Sequence, residues 1–274
     1  KSGLQIMKNK GQWISYLYPY SIPYYRRKGW EIMSDHLTFT IKDSKIPKHI
    51  SVKGFAERLP VTDPDVISVY DKFARSNHGA LIRGNQEWEE YWRWENEDER
   101  TAAVYYDKED VPQGYILYWI EEDIFHIKDI IYLNQEARVG LWNFVYAHYS
   151  MVDEVQGNID KNDPLHCLLD DGQIKETIEP YYMARIVDVT EFLNNFPFKD
   201  SDIFTPFHFV VSDSIAEWNQ GVFGLVKNEK GKLAHTNEAV GKPVYLDIQT
   251  LTTMLMSYRS PAYLHKIERI QAGE

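Results

Sequence analysis

The chain has 274 residues, with 30 basic against 41 acidic side chains and a formal charge of −11. With 43% apolar residues it can bury a sizeable core, which excludes disordered and collagen-like classes. No run approaches the about 18 apolar residues of a membrane-spanning helix, and the acidic balance lacks the basic footprint of a nucleic-acid binder. At about 150 residues per domain the length implies two domains, or three small ones.

The pattern is already under way at Lys1, as expected of a fragment or a processed chain. Leu4, Ile6 and Met7 predict the end of a helix, closed by Gly11. Trp13 to Tyr18 reads as a strand ended by Pro19. Ser21 can cap a short helix through Lys28, stopped by Gly29. Leu37, Phe39 and Ile41 alternate on one face of a strand, and a polar turn through Pro47 sets a first boundary near residue 50. A short strand follows at Val52–Glu57. A helix capped by Asp65 carries Val66, Ile67, Tyr70 and Phe73, and a second, capped by Asn85, runs to Arg100. Strands are expected at 102–107, 114–121 and 124–133, the first two joined as a hairpin. Asn134 caps the helix 136–150, whose stripe is Leu141, Phe144, Val145 and His148. A weaker strand (152–159), a helix started by Asp163-Pro164 and a last strand (183–189) complete an α/β unit whose later strands are joined through helices. Pro197 to Asp202 is a second linker. Beyond it lie alternating strands at 207–211 and 221–226, and a turn at Asn228–Gly231 with Gly231 free to take positive φ. A strand at 242–248, a helix 251–258 capped by Asp247 and a helix from Ser260-Pro261 through Ile270 make this third piece α+β.

The single cysteine, Cys167, excludes an internal disulfide, and with no visible signal peptide it points to a reducing cytoplasm. The nine histidines show no paired metal spacing, and neither Gly-x-Ser-x-Gly nor a Walker loop occurs.

The most informative segment is Leu17-Tyr18-Pro19-Tyr20-Ser21-Ile22-Pro23-Tyr24-Tyr25-Arg26-Arg27-Lys28-Gly29-Trp30-Glu31. A strand ends, a short helix carries a tyrosine pair, and a glycine turns into the next strand. This resembles the aromatic-Tyr-x-x-x-Gly-aromatic signature near the end of GNAT N-acetyltransferase domains. The fuller string is similar to the enhanced intracellular survival (Eis) family within that superfamily. Arg185 to Val189 with Phe192-Leu193 resembles the end of that family's middle domain. Asp213, Trp218-Asn219-Gln220-Gly221, Asp247 and Leu251 resemble its sterol-carrier-protein-like domain. The resemblance implies the C-terminal part of a catalytic GNAT domain (1–50), a second, degenerate GNAT-like domain (51–200) and a sterol-carrier-like α+β domain (201–274).

Two departures accompany it. The family's pyrophosphate turn, Gln/Arg-x-x-Gly-x-Gly/Ala, places glycines where backbone N–H groups approach the cofactor. No intact copy occurs; the middle unit reads Gln135-Glu136-Ala137-Arg138-Val139-Gly140, with Arg138 where the first glycine belongs. The first domain's turn is expected upstream of Lys1. The family also uses a C-terminal carboxylate as general base, and the usual further tail is expected beyond this chain, so Glu274 is not given that role. The chain alone is expected to be poorly active.

The resemblance implies acetyl-CoA as co-substrate and an amine as acceptor, aminoglycoside- or polyamine-like. It gives Tyr25 as the group that assists the departing thiolate, with Tyr24 as the alternative. Passing a proton from a phenol of pKa about 10 to a thiolate whose conjugate acid has pKa about 8.5 is uphill by about 2 kcal/mol. Tyr25 is therefore expected to act partly as a hydrogen-bond donor. Arg26 and Arg27, with Lys28, are either a solvated helix face or partners for cofactor phosphates. Tyr18 and Tyr24 are the candidates for contact with the amine. The family forms hexamers, so a homo-oligomer is expected. The helix 86–100 carries Trp88 and Trp92 at i, i+4 with Tyr91 and Trp94 among seven acidic residues. That is either a packed stripe with an acidic face or a collector of cationic substrates. A competing reading is a non-catalytic protein that binds a lipid or a partner through its sterol-carrier-like domain.

Overall fold

The computed structural model describes residues 2–77, 79–95, 100–159, 165–199, 204–229 and 231–272, with the backbone alone for 93–95. The expected helix start at Asp163-Pro164, the side chain of Trp94 and Glu274 lie outside the described residues. The elements run α1 (Ser2–Asn9), β1 (Ile14–Leu17), α2 (Ile22–Arg26), β2 (Glu31–Ile32), β3 (Asp35–Lys42), β4 (Phe55–Leu59), α3 (Pro64–Ser76), α4 (Asn85–Glu95), β5 (Thr101–Tyr106), β6 (Pro112–Glu121), β7 (Ile124–Tyr132), α5 (Gln135–Tyr146), β8 (Glu154–Ile159) and β9 (Lys175–Pro180). They continue with β10 (Met183–Ile186), α6 (Val189–Asn195), β11 (Phe207–Ser212), β12 (Gly221–Lys227), β13 (Leu233–Thr236), β14 (Lys242–Asp247), α7 (Ile248–Leu255), α8 (Pro261–Lys266) and β15 (Gln271–Ala272).

Two units result. One is His36–Glu179; the other joins the residues up to Asp35 to those from Pro180 onward. The boundaries expected near 50 and 200 are therefore displaced, for identifiable reasons. The alternating Leu37, Phe39 and Ile41 of β3 are buried in one core with Trp142, Val145 and Val155. The strand pairs with β8 from Leu37 to Lys42, so it belongs to the middle unit. At the other boundary, Ile186, Val189, Phe192 and Leu193 share a core with Phe209, Leu246 and Leu251. The polar stretch after Pro197 interrupts the chain without dividing that core.

The middle unit is a seven-stranded sheet ordered β4-β5-β6-β7-β8-β3-β9. All but one of its registered ladders are antiparallel. The exception is β7–β8, a parallel pair that needs a crossover, and α5 supplies it. Asn134 caps α5 by accepting the N–H of Ala137, as expected. Asp63, rather than the expected Asp65, caps α3; Asp65 instead accepts the hydroxyl of Tyr106 at 2.6 Å.

The other unit holds two sheets: β1-β10-β2 and the five-stranded β13-β12-β11-β14-β15. The strand expected to close the middle unit, 183–189, is β10 here. It lies between β1 and β2, antiparallel to both. A strand between two neighbours exposes neither edge, and all four of its residues are buried. One of them is Arg185, fully buried. Its Nη2 donates to Asp213 Oδ2 at 2.6 Å and its Nη1 to the carbonyl of Lys28 at 2.6 Å. Asp213, itself 2% exposed, also accepts the N–H groups of Ile215 and Ala216 and the amide of Asn219. Trp218 Nε1 and Asn219 Nδ2 both donate to Val187 O just beyond β10. The conspicuous polar string 213–219 thus satisfies the end of one strand.

Among the described residues no helix is long and apolar enough to cross a membrane. Replacing Asp213 by Ala strands a buried guanidinium, which typically costs about 3–5 kcal/mol. Urea unfolding of Asp213→Ala should show a loss of that size; a change below about 1 kcal/mol would mean that the pair does not organise this unit.

Candidate active site

The tyrosine segment keeps the expected order of strand, short helix and glycine turn, but Ser21 makes no side-chain cap and the helix stops at Arg26 rather than Lys28. β1 ends at Leu17, α2 is a turn and a half, and Gly29 at φ +91° reverses the chain into β2. The carbonyl of Tyr25 accepts the N–H groups of Lys28 at 2.9 Å and Trp30 at 3.1 Å, which fixes the backbone on both sides of the glycine. Gly29 is required twice over. Its φ is in the left-handed region, and a Cβ there would stand 1.3 Å from Arg185 Nη1. The guanidinium that holds Lys28 O therefore lies directly against the turn, 5.4 Å above the Trp30 ring.

Tyr25 is half-buried. Its ring meets Tyr24 edge-on at 5.2 Å and Trp30 at 6.1 Å. All three line an open cavity of about 480 Å³, together with Lys28 and with Met7 of α1. Half of Tyr24 is exposed. Sequence reasoning assigned Tyr24 and Tyr25 to the site but not Trp30 or Met7. Trp30 closes the signature as its final aromatic, a usable signal; Met7 carries none, because only the fold brings α1 here.

The remaining candidates divide. Arg26 is not a free cation. Its Nε and Nη2 lie 2.9 and 2.8 Å from Glu31 Oε1, while Arg269 Nη2 lies 3.0 Å from the other carboxylate oxygen. Glu31 is 4% exposed, so two arginines neutralise one buried carboxylate, an arrangement that burial of a charge demands. Arg27 and Lys28 are exposed, and among the described residues neither has an ion-pair partner. Those two, rather than Arg26, suit the phosphates of a cofactor. Tyr18 is exposed and packs on Tyr181 and Tyr182, with ring separations of 5.4 and 6.1 Å; it does not line the cavity.

The degenerate turn of the middle unit fills its own cradle. Glu136, in the first turn of α5, accepts the N–H of Lys53 and the hydroxyl of Tyr105 at 2.9 and 3.0 Å. These bonds hold its carboxyl below the usual carboxylate range. The Tyr105 ring presses on Gly140, where a Cβ would come within 2.1 Å of it. An anion at the helix N-terminus already takes the field that a pyrophosphate would use. Arg138 turns aside to Gln135 at 3.1 Å. These residues do not fit the cofactor. Among the described residues no group of His, Cys, Asp and Glu could hold a metal ion.

Residues 1–33 and 79–186 each match a family model described as an acetyltransferase (GNAT) domain, and 189–274 match one described as a sterol carrier protein domain. No curated protein matches the chain. A probable N-acyltransferase of unknown function from Enterococcus faecalis V583 is 28% identical with a TM-score of 0.87, over 99% of this chain and 69% of that one. A GCN5-related N-acetyltransferase from Anabaena variabilis ATCC 29413 is 28% identical with a TM-score of 0.83, over 99% and 70%. Eis1 from Mycobacterium abscessus shares the fold at 18% identity, with a TM-score of 0.77 over 100% and 71%. The architecture is two segments similar to acetyltransferase (GNAT) domains followed by a sterol-carrier-like α+β domain, an arrangement shared with N-acyltransferase-like solved structures.

A carboxyl whose pKa is depressed on folding stabilises the fold above its unfolded value of about 4.3 and loses that contribution as pH falls through the folded value. Between pH 5 and 3 the melting temperature of the parent chain should therefore fall more steeply than that of Glu136→Gln. Parallel curves would mean that Glu136 is not held by Lys53 and Tyr105.

Proposed function

We propose that the chain supplies the tyrosine side of an acetyl-CoA-dependent N-acetyltransferase related to the Eis family, acting on a primary amine of the aminoglycoside or polyamine kind. The observation that carries this reading is the cavity beside α2, where Tyr24, Tyr25, Lys28 and Trp30 converge on a turn locked by a buried arginine.

Acetyl-CoA supplies an activated acyl group in a thioester. The amine, once neutral, attacks the carbonyl carbon; the C–N bond forms, the C–S bond breaks, and the sulfur leaves with the electron pair, while the surplus proton on nitrogen passes to solvent, from which Tyr25 is afterwards re-protonated. Tyr25 donates its phenolic hydrogen bond, and finally its proton, to that sulfur. Tyr24 stands at the half-exposed mouth of the cavity, where an incoming amine meets a ring face suited to a cation. Arg27 and Lys28 offer charge to the phosphates, with Arg26 committed to Glu31. The general base is left unassigned. A homo-oligomer, hexameric by family resemblance, and a reducing cytoplasm as the compartment complete the proposal.

Calorimetric titration of acetyl-CoA into the chain is the first test. Binding that weakens about tenfold or more in Arg27→Ala supports the phosphate assignment; no heat would mean that these residues do not suffice for the cofactor, consistent with a poorly active chain. Where thiol release is measurable, Tyr25→Phe should slow it by about a hundredfold or more with acetyl-CoA affinity nearly unchanged. Unchanged turnover would sink Tyr25 and move the role to Tyr24.

A further inference from the structure

The loop between α3 and α4 places a cation in a box of rings. The guanidinium carbon of Arg83 lies 4.0 Å from the ring centre of Tyr70, 4.7 Å from Trp88 and 3.9 Å from Tyr91. The rings brace one another: Trp88 stacks on Trp92 at 5.2 Å, and Tyr70 meets Trp88 edge-on at 5.2 Å. Beside them the partly buried carboxylate of Asp129 accepts the hydroxyl of Tyr115 at 2.8 Å. We infer that Tyr70, Trp88 and Tyr91, backed by Asp129, form a binding site for a small alkylated ammonium ion, and that Arg83 is its displaceable occupant in this structure.

Three observations distinguish an occupant from a fixed part of the core. First, the site is matched to charge better than to N–H donors: the guanidinium donates to the Tyr91 hydroxyl but is not satisfied throughout. Arg83 Nη1 is buried without a hydrogen-bond partner, and leaving a buried donor unpaired is costly. A quaternary ammonium has no N–H to satisfy and enjoys the same attraction to the ring faces. Second, the segment carrying Arg83 is weakly anchored. Leu81 and Ile82 are 59% and 55% exposed, and between the ends of the segment, where Ala80 N donates to Asn77 O at 3.4 Å and Trp88 N to Gly84 O at 3.0 Å, it is held by Tyr70 Oη to Leu81 O at 2.9 Å and Gly84 N to Glu87 Oε2 at 3.0 Å. Third, the site needs a cation. Burial and the charge of Asp129 together push the Tyr91 hydroxyl well above its ordinary value, and the charge of Arg83 opposes this. The carboxylate of Asp129 is likewise raised by burial and lowered by Arg83. Removing Arg83 without a replacement leaves Asp129 without that counter-charge, which a bound ammonium restores.

The occupant competes with the ligand, so the apparent affinity of the parent chain is reduced by the fraction of time that the site is open. Arg83→Ala should therefore bind tetramethylammonium at least about tenfold more tightly than the parent chain by calorimetry. Choline should be preferred about tenfold or more over 3,3-dimethyl-1-butanol, which has the same shape without the charge. Indole NMR shifts should centre on Trp88 and Trp92. Equal affinity for choline and the neutral alcohol would reduce the site to an apolar hollow and overturn the proposal. So would absence of binding to Arg83→Ala, or shifts confined to other tryptophans. Loss of cooperative folding in Arg83→Ala would overturn it too, because the guanidinium would then be part of the core.

Discussion

One guanidinium, buried in the middle of a three-stranded sheet, holds the tyrosine turn in place. Arg185 reaches the carbonyl of Lys28 with one nitrogen and Asp213 with another, and its plane lies where any side chain on Gly29 would be. A buried charge tolerates little freedom: removing either partner leaves the other desolvated and unpaired. The backbone that presents Tyr25 is thereby tied to a loop of the sterol-carrier-like segment. That loop in turn spends Trp218 and Asn219 on the carbonyl of Val187. The glycine of the tyrosine signature, the arginine of the strand and the aspartate of the later loop are one interaction seen from three places in the sequence.

The two GNAT-like segments treat charge in opposite ways. Beside Tyr25, Arg27 and Lys28 face solvent, and the cavity is open. In the middle unit the chain supplies its own partners. Glu136 takes the donors at the start of α5, and the guanidinium of Arg83 fills a box of rings. A fold built to receive a nucleotide can be kept for its framework once side chains from the same chain answer its exposed dipoles. The first segment leaves a cavity and two cations open to solvent, and the second closes its helix terminus with its own side chains.

Much of this was legible in the residues. Gly11, Gly29 and Gly231 do adopt positive φ, and Asn134, Asp247 and Ser260 do cap helices, because such positions depend on a few neighbouring atoms. The three strands 101–132 follow from local alternation and turn chemistry. Partner choice was not legible. The alternation of Leu37, Phe39 and Ile41 reveals a face but not the sheet that receives it. Met183 to Ile186 reads as a strand without revealing that β1 and β2 flank it. Arg26 looks like a free cation until Glu31 and Arg269 are brought beside it. Each of these depends on residues distant in sequence, where local pattern carries no information.

The placement of β10 also has a consequence in time. Lys28 and Arg185 are 157 residues apart, and the strand carrying Arg185 is the one that separates β1 from β2. On a ribosome emitting about 5–20 residues per second, the tyrosine turn emerges roughly ten seconds or more before the strand that completes its sheet. The whole middle unit, contiguous from His36 to Glu179, leaves the exit tunnel in that interval and can close its own hydrogen bonds first. The tyrosine turn is thus made well before the middle unit and finished only after it.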